Sequence, residues 1–312
     1  MSVTLLAQLS DLHIVPAGER LDGRIDTAAG LRAAVATVAG WPQVPDAVVL
    51  TGDLTDAGEP AAYAHLQRLL APLAGVPLWP VAGNHDDRLC LREAWLADAA
   101  PALAAALAGE APPHRPDGPL DGHDLGCPPG RVEGRDDGPG SAADGFLQYT
   151  VPVGTAGLRL VVLDTAEAGQ PWGRLCPRRL AWLDRTLARH RDASVIVALH
   201  HPPFDSGIAV MDRIGLREGR EGLAEVLAAH PQVERVICGH LHRNVHASIG
   251  RVPVSCAPSP AHQIALQMDP QAPGGWILEP PGLHLHRWTG PGQLVTHLVP
   301  VGRFDGPHPF GR

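Results

Sequence analysis

Five short segments of the chain each place potential metal-ligating side chains directly after an apolar, strand-like run. One such cluster would mean little, because the chain contains 17 histidines and chance His-x-His pairs are expected. The side chains are Asp11 and His13, Asp53, Asn84 and His85, His200 and His201, and His240 and His242. Five clusters at the same ends of successive strands predict one shared site, because those strand ends meet at one edge of a sheet.

This set contains enough donors for two divalent ions. Two ions about 3.5–4 Å apart can clamp a phosphoryl group and generate hydroxide at neutral pH. Such a pair needs a carboxylate that both ions share and several nitrogen and oxygen donors, and the clusters supply these; Asp53 follows Gly52, which allows a tight turn at the strand end. Imidazole and carboxylate donors together suit Fe, Mn, Zn or Co better than Ca²⁺ or an all-oxygen Mg²⁺ site. The pattern therefore predicts a two-metal phosphoester hydrolase.

The elements that must position these side chains alternate along the chain. Strands are predicted at residues 3–9, 47–50, 78–81, 147–153, 158–163, 195–199 and 235–238. Helices are predicted at residues 27–39, 60–73, 88–107, 177–190 and 217–229. Short strand-like runs follow at 252–255, 262–267, 283–288 and 293–299, with a surface excursion at 269–282. This order predicts an α/β domain with mixed sheets.

The five segments resemble, in order, the signatures of the calcineurin-like metallophosphoesterases. The matching stretches are DLH at 11–13, GD at 52–53, GNHD at 83–86, HHPP at 200–203 and GHLH at 239–242. LDT at 163–165, WL at 182–183, GI with MD at 207–212 and PS with HQ at 258–263 resemble the bacterial class III cyclic-nucleotide phosphodiesterase branch, which also includes glycerophosphodiesterases. The resemblance implies a four-layer α/β/β/α sandwich with two mixed sheets and metals at the sheet ends between them.

The resemblance also implies a role for each residue of the site. One metal would be held by Asp11, His13, Asp53 and His242, and the second by Asp53, Asn84, His200 and His240. Asp53 would bridge the two ions, and metal-bound hydroxide would attack without a covalent intermediate. His85 would contact substrate and help to protonate the leaving oxygen, and Asp86 would hydrogen-bond His85. His201 would either face substrate or point away from it.

The leading hypothesis for the substrate is 3′,5′-cyclic AMP or a related cyclic nucleotide. A glycerophosphodiesterase or broad-specificity phosphodiesterase is the alternative. A non-catalytic scaffold of the same fold is the second alternative, which the complete set of expected ligands disfavours.

Composition excludes other classes of protein. The net charge of −8 gives no nucleic-acid footprint. No apolar stretch approaches the length of about 20 residues that spans a bilayer, and no signal peptide is recognisable. Five cysteines without a CxxC pair indicate neither a disulfide framework nor a thiolate zinc site. We therefore expect a cytoplasmic protein that binds a small phosphodiester and neither nucleic acid nor membrane.

We expect one domain over residues 1–312, with a Gly/Pro-rich insertion at 109–145 and a C-terminal β-region from about 245. The insertion is either a passive loop or a lid. By analogy with related proteins, a homo-oligomer is expected, with a dimer favoured.

The remaining histidines and tryptophans are predicted to have no part in the site. HLH at 284–286 fits a strand pattern without metal. Surface positions are predicted for His114, His123, His190, His230, His297 and His308. Packing roles are predicted for Trp172, Trp182, Trp276 and Trp288, and a structural role for Asp164.

Overall fold

A computed structural model of the chain describes residues 3–98 and 145–311. Its main strands are β1 (Thr4–Leu9), β2 (Ala47–Leu50), β3 (Leu78–Pro80), β4 (Tyr149–Val153), β5 (Leu158–Val162), β6 (Gly173–Arg174), β7 (Ser194–Ala198), β8 (Leu216–Glu218), β9 (Val233–Cys238), β10 (Val245–Ile249), β11 (Val252–Cys256), β12 (Gln263–Ile264), β13 (Trp276–Ile277), β14 (Gly282–Trp288) and β15 (Leu294–Pro300). Its helices are α1 (Thr27–Ala39), α2 (Pro60–Leu70), α3 (Arg88–Asp98), Pro177–Arg189, Ala209–Asp212 and Arg220–Ala229. The predicted insertion, apart from Gly145, lies outside the described residues.

Two mixed sheets form the centre of the described part. The first has the order β15-β14-β1-β2-β3, in which β1, β2 and β3 are parallel and β14 and β15 are antiparallel to their neighbours. The second has the order β10-β11-β9-β7-β5-β4, with four central parallel strands and an antiparallel strand at each edge. The predicted ligand segments follow the parallel strands β1, β2 and β3 of the first sheet and β7 and β9 of the second.

The side chains of the second sheet point alternately to its two faces, and their contacts show how the layers stack. Ile196 and Ile237 pack into the apolar cluster that contains β1, β2, α1 and α2. Val197, one residue further along β7, packs into a second cluster with Pro177–Arg189 and Arg220–Ala229. Because successive strand side chains point to opposite faces, each face of this sheet has its own cover. The order is helices, sheet, sheet, helices, which confirms the predicted four-layer α/β/β/α sandwich.

Two helices have bounds in the structure that differ from the predicted ones. Residues predicted as the start of the helix at 217–229 form β8, which pairs with β6. Gly219 then adopts a left-handed conformation with φ 86°, and the helix begins at Arg220. The helix predicted at 60–73 closes as a 3₁₀ turn at Ala71–Leu73, since Pro72 has no N–H to continue it. Of the helix predicted at 88–107, residues 99–107 lie outside the described part.

Besides β8, the short strands β6, β10 and β13 escaped prediction. β10 pairs with β11 at the edge of the second sheet. β13 lies inside the predicted surface excursion at 269–282 and pairs with β12. No helix of residues 3–98 or 145–311 is both long and apolar enough to cross a bilayer.

Two predictions of side-chain position were wrong. His230 is buried, and its Nε2 lies 2.8 Å from the Asp184 carboxylate. Trp276 is 38% exposed, with its ring 6.4 Å from that of His262. Trp182 and Trp288 are buried, as a packing role requires.

Candidate metal centre

The ends of five parallel strands bring the predicted ligands to one edge of the sandwich. Asp11 and His13 follow β1, Asp53 follows β2, Asn84 and His85 follow β3, His200 and His201 follow β7, and His240 and His242 follow β9. The first three segments belong to one sheet and the last two to the other. The side chains therefore meet between the sheets, as predicted.

Left-handed backbone turns several of these side chains into the space between the sheets. Positive φ angles are found at Asp11 (54°), His13 (43°), Asp53 (48°), His240 (72°) and His242 (51°). Among the described non-glycine residues, only Asp22 shares this feature. Such conformations cost about 1–3 kcal/mol each and occur mainly at functional sites.

Two glycines leave the space in which the strand ends approach each other. A Cβ on Gly239 would lie 2.7 Å from the carbonyl oxygen of Thr51 and 2.9 Å from Asp11 Oδ2. A Cβ on Gly83 would overlap the backbone nitrogen and Oδ1 of Asp53. These glycines of the GHLH and GNHD stretches thus allow close approach of the backbone.

The first ligand group consists of Asp11, His13, Asp53 and His242. One donor atom from each lies within 4.8 Å of the others, and all four residues are buried. Nε2 of His13 is 3.2 Å from Nε2 of His242 and 3.6 Å from Asp53 Oδ2. Nε2 of His242 is 3.6 Å from Asp11 Oδ1.

The second group surrounds Nε2 of His200. This nitrogen lies 3.1 Å from Asn84 Oδ1, 3.4 Å from Asp53 Oδ2 and 3.2 Å from His240 Nδ1. Asp53 Oδ2 therefore faces both groups, while its Oδ1 accepts a hydrogen bond from the His85 backbone N–H at 2.9 Å. One carboxylate oxygen is left to be shared.

Hydrogen bonds at Nδ1 fix the tautomers in the first group. His13 Nδ1 donates to Asp56 Oδ1 and His242 Nδ1 donates to the carbonyl oxygen of His262, both at 3.0 Å. Their Nε2 atoms then present lone pairs to each other at 3.2 Å. Buried lone pairs at this spacing repel, so the geometry fits a cation between them.

A hydrogen bond at Nδ1 also orients an imidazole of the second group. His200 Nδ1 donates to the carbonyl oxygen of Thr51 at 2.9 Å, so Nε2, which faces the oxygens of Asn84 and Asp53, is the nitrogen that can bind a cation. Nδ1 of His240 faces the same point, 3.2 Å from His200 Nε2. Buried polar atoms are normally satisfied, so these atoms also fit a metal ion.

Electrostatics supports this conclusion. Burial disfavours the charged form of His200, but the carboxylates of Asp53 and Asp11 outweigh it and raise the pKa of His200 to about 10. Burial raises the pKa of Asp11 to about 6. Burial would also raise the pKa of Asp53, yet the neighbouring imidazoles, His200 first, hold it well below its usual value. The pocket therefore stabilises positive charge at its centre.

The donor set consists of imidazole nitrogens, carboxylate oxygens and one amide oxygen, a mixture that suits transition-metal ions. The residues present fit a pair of divalent ions that share Asp53.

A family model described as calcineurin-like phosphoesterase matches residues 4–244. The chain belongs to this family. It is 29% identical over 309 residues to a probable glycerophosphodiester phosphodiesterase of Arcobacter nitrofigilis, an alignment that covers 98% of this chain and 96% of the relative. It is 34% identical over 256 residues to a cAMP/cGMP dual specificity phosphodiesterase of Mycobacterium tuberculosis, covering 81% of this chain and 66% of the relative.

The fold is also shared with a dimetal phosphatase from Danio rerio of known structure. The TM-score is 0.57 at 16% identity, and the match covers 96% of this chain and 99% of the other. At this identity the likeness concerns the fold alone.

In this phosphoesterase, His85 lies at the open side of the centre. Its side chain is 40% exposed, and its ring centroid is 4.7 Å from that of His13. Nδ1 donates to the carbonyl oxygen of Asp56 at 2.6 Å. Because that bond occupies Nδ1, Nε2 is the nitrogen available to a substrate.

Asp86 does not make the hydrogen bond to His85 that the sequence predicted. It accepts from the backbone N–H groups of Gly83 at 3.0 Å and Leu54 at 3.1 Å, and from the Tyr63 hydroxyl at 2.9 Å. Its carboxylate thus joins the loops after β2 and β3. The orienting role belongs to Asp56, whose carboxylate holds His13 and whose carbonyl holds His85.

Asp56 was missed by sequence reasoning. The signal was its place in the GDLTD stretch, three residues after Asp53. The His13 hydrogen bond is the largest influence on its carboxyl group and lowers the pKa of Asp56.

His201 is fully buried behind the second group. Its Nδ1 lies 2.9 Å from Thr165 Oγ1, and its ring centroid is 4.8 Å from those of both His200 and His240. This position corresponds to the alternative in which His201 points away from substrate. It packs against two ligand imidazoles.

A cleft of about 330 Å³ opens beside the centre and is lined in part by Asn84, Arg88, Gly145 and Glu167. Arg88 is held there by a bidentate contact with buried Asp164, at 2.7 and 3.0 Å. The predicted structural role of Asp164 agrees with this contact. The cleft provides room for a small ligand next to Asn84.

Proposed function

We propose that this metallophosphoesterase hydrolyses a small phosphodiester, with 3′,5′-cyclic AMP or a related cyclic nucleotide as the leading substrate. The observation that carries the proposal is the position of Asp53. Its Oδ2 lies 3.6 Å from His13 Nε2 and 3.4 Å from His200 Nε2, so one carboxylate faces both ligand groups. This is the arrangement that a pair of divalent ions requires.

The side chains would divide the work between holding metal and handling protons. When bound, the ion pair clamps phosphoryl oxygens and supplies an activated water as the nucleophile. Asp11, His13 and His242 would hold one ion, Asn84, His200 and His240 the other, with Asp53 shared between them. The carbonyl of Thr51 and the carboxylate of Asp56 keep protons on the Nδ1 atoms of their histidines, so that each Nε2 stays free to donate its lone pair.

His85 is placed to serve the leaving oxygen. It is exposed where the ligand imidazoles are buried, and its bond to the carbonyl of Asp56 fixes its ring. A proton on Nε2 would neutralise the alkoxide that forms when the phosphorus–oxygen bond breaks. His85 is therefore the proposed general acid.

The cyclic-nucleotide assignment is supported by the 34% identical relative from Mycobacterium tuberculosis, which is named for cAMP and cGMP. It is also supported by the cleft, whose volume of about 330 Å³ suits a ligand of nucleotide size. Ring opening would give the corresponding nucleoside monophosphate.

A glycerophosphodiester is the second candidate. The relative from Arcobacter nitrofigilis that bears this activity in its name aligns with 98% of this chain, against 81% for the cyclic-nucleotide relative. The two candidates share the metal centre and differ in what the cleft beside Asn84 must accept.

A product assay tests the proposal. Protein stripped of metal and reloaded with Mn²⁺ is given 3′,5′-cyclic AMP, glycerophosphocholine, bis(p-nitrophenyl) phosphate and p-nitrophenyl phosphate, and products are identified by chromatography. Asn84→Ala, which removes an oxygen from the second group, is the matched inactive control.

Preferred conversion of cyclic AMP to AMP supports the leading substrate. Cleavage of the linear diesters with cyclic AMP untouched favours the glycerophosphodiesterase. Turnover of none of the four by a folded protein that retains two metal ions would contradict the proposed activity and favour a non-catalytic scaffold.

A further inference from the structure

A second cavity lies at the opposite end of the sheets from the metal centre. It has a volume of about 420 Å³ and is lined by the starts of β7, β9 and β11 and by the turn between β14 and β15. His200 and His240 follow the other ends of β7 and β9, which have 5 and 6 residues. At about 3.3 Å per residue, the cavity and the metal centre are roughly 16–20 Å apart. The cavity is therefore a separate site.

Three arginines line this cavity, and each comes from a different segment. Arg191 precedes β7, Arg235 lies on β9, and Arg251 lies in the turn before β11. None of the three forms an ion pair with another residue of the described part, whereas arginines elsewhere in it do. In a chain with a net charge of −8, the cavity is thus a local concentration of unpaired positive charge.

Arg235 is the half-buried member of the three. Its Nε is buried and has no hydrogen-bond partner among residues 3–98 and 145–311. Burial lowers the pKa of Arg235, although the neighbouring carboxylate of Glu234 acts in the opposite direction. Partial removal of a guanidinium from water is unfavourable without a partner. An anion would offset that cost, because arginine binds phosphate and carboxylate oxygens through strong, often bidentate hydrogen bonds.

Arg251 is held in place by backbone carbonyls. Its Nη2 donates to the carbonyl oxygens of His230 at 2.9 Å and Leu227 at 3.2 Å, and its Nη1 to that of Pro231 at 3.4 Å. These three bonds fix the guanidinium while its charge stays without a counter-ion. A guanidinium has five N–H groups, so two remain for a ligand.

Two carboxylates also line the cavity. Asp192 is exposed. Glu234 Oε1 accepts from Trp288 Nε1 at 3.0 Å and from the Gly292 N–H at 3.1 Å, which joins the turn of the first sheet to the second. Its Oε2 is buried without a partner among the described residues. Three positive and two negative side chains leave one positive charge, and the free Oε2 can accept from a hydroxyl or amino group.

We propose that this cavity binds a small phosphate- or carboxylate-bearing molecule through Arg191, Arg235 and Arg251. A hydroxyl or amino group of the same molecule donates to Glu234. The volume of about 420 Å³ lies within the range of small-molecule sites, about 300–1,000 Å³. The ligand would join the two sheets at the end opposite the metal centre. The proposal is independent of the proposed hydrolysis, because no lining residue belongs to the ligand groups.

Equilibrium dialysis of metal-loaded protein against inorganic phosphate, glycerol 3-phosphate and succinate tests the proposal. Arg191→Met and Arg235→Met each remove one guanidinium, and Arg68→Met, at an exposed position on α2, is the matched control. Because phosphate also binds divalent metal ions, Asp53→Asn is measured alongside to separate the two sites. Phenylglyoxal labelling, read by mass spectrometry, then shows which arginines a bound ligand protects.

We expect one binding event to weaken by about tenfold or more in Arg191→Met and Arg235→Met and to persist in Arg68→Met and Asp53→Asn. Glycerol 3-phosphate should bind more tightly than phosphate, and turnover by Arg191→Met should match the wild type. Binding of the phosphates without succinate assigns a phosphate ligand, and binding of succinate alone assigns a carboxylate.

A bound ligand should protect Arg191 and Arg251 from phenylglyoxal, a readout on the wild type that serves even if Arg235→Met fails to fold. The proposal is overturned if none of the three probes binds at millimolar concentration. It is also overturned if all binding is lost in Asp53→Asn and kept in Arg191→Met. Loss of turnover in the wild type would contradict the proposed hydrolysis and leave this binding event unchanged.

Discussion

Five of the ligand-type side chains stand on left-handed backbone, at a cost of about 1–3 kcal/mol each. Asp and His adopt this conformation more often than most residues do, but they still prefer other regions. The contacts that hold it are hydrogen bonds made after each strand ends, such as His13 N–H to the Asp53 carbonyl at 2.9 Å and His240 N–H to Asp11 Oδ1 at 2.8 Å. The ligand segments therefore support one another.

At the residue scale, His85→Ala should lower kcat by about 10²-fold or more while both metal ions stay bound. His85 contacts Asp56 through its ring and Asp53 only through its backbone N–H, which the substitution retains. Steady-state kinetics with cyclic AMP and bis(p-nitrophenyl) phosphate, together with metal analysis, would check this. Loss of one metal ion from the variant would instead make His85 a ligand.

Sequence reasoning found the ligand-type residues but not all of their partners. Asp53 and His200 could be predicted because a strand end is a fixed place in the fold. Asp56 and His262 could not, because their contacts depend on how the loops turn after β2 and β11. Asp86 was given the wrong partner for the same reason: the turn at Gly83 directs its carboxylate to Leu54 and Tyr63.

At the scale of the elements, the glycines before Asp53, Asn84 and His240 allow the strand ends to approach each other closely. Gly239→Ala would force the end of β9 away from Thr51 and Asp11. We expect lower metal affinity and an activity loss of at least about tenfold, measured by chelator competition and initial rates. Gly275→Ala is the control, because nothing lies within 4 Å of its added Cβ. Equal behaviour of the two variants would contradict this account.

The start of α3 is joined to the end of β5 by a buried ion pair. Burial would raise the pKa of Asp164, but the Arg88 guanidinium lowers it below its usual value. Arg88→Met leaves that carboxylate buried without its cation and should reduce the free energy of unfolding by about 3–5 kcal/mol near pH 7. Urea titrations would measure this, with exposed Arg287→Met as the control.

The Arg88–Asp164 ion pair also determines the direction in which the free energy of unfolding changes with pH. Because the folded-state pKa of Asp164 lies below its unfolded value, its contribution is complete above the unfolded value and is lost as pH falls through the folded value. The difference in stability between wild type and Arg88→Met should therefore narrow in acid. A difference that stays constant as the pH falls would show that the ion pair is not its cause.

Elements with a complete local signal were predicted closely. α1 begins where the Asp26 carboxylate accepts from Ala29 N–H at 2.8 Å, and its predicted and observed bounds coincide. β10 and β13 were missed because each is short and lies at an exposed edge, where burial does not impose an apolar pattern.

At the scale of the molecule, the metal centre joins two sheets that otherwise meet through side chains. Beneath it, Gln8 of the first sheet donates to the carbonyl oxygen of Cys238 in the second at 2.9 Å and to Thr51 Oγ1 at 3.0 Å. His286 Nε2 lies 3.0 Å from Gln8 Oε1. The HLH stretch lies in strand β14, as predicted, and contributes to a polar layer between the sheets.

Removal of metal should therefore destabilise the whole described fold. A ligand present at 100 times its dissociation constant stabilises the folded state by about 2.7 kcal/mol, so chelation should lower the unfolding temperature by several degrees. Adding Mn²⁺ or Zn²⁺ should restore it. Calorimetry would show the effect, and His240→Ala should reduce it. An unfolding temperature that does not respond to chelation in wild-type protein would contradict the bridging role.

The organisation of residues 1–312 as one domain, the cytoplasmic location and the dimer stay predictions. The choice between a loop and a lid for the insertion at 109–145 falls on residues outside the described part. These features depend on contacts beyond the two sheets, and the strand-end pattern does not encode them.

The central claim is that two ions share Asp53, and a metal titration tests it most directly. Stripped protein is titrated with Mn²⁺ while hydrolysis of bis(p-nitrophenyl) phosphate and bound metal are measured together, for wild type and Asp53→Asn. The account predicts full activity at two ions per wild-type chain and loss of activity with weakened binding at both positions in the variant. Full activity at one ion per chain, or an Asp53→Asn protein that still binds two ions tightly, would contradict it.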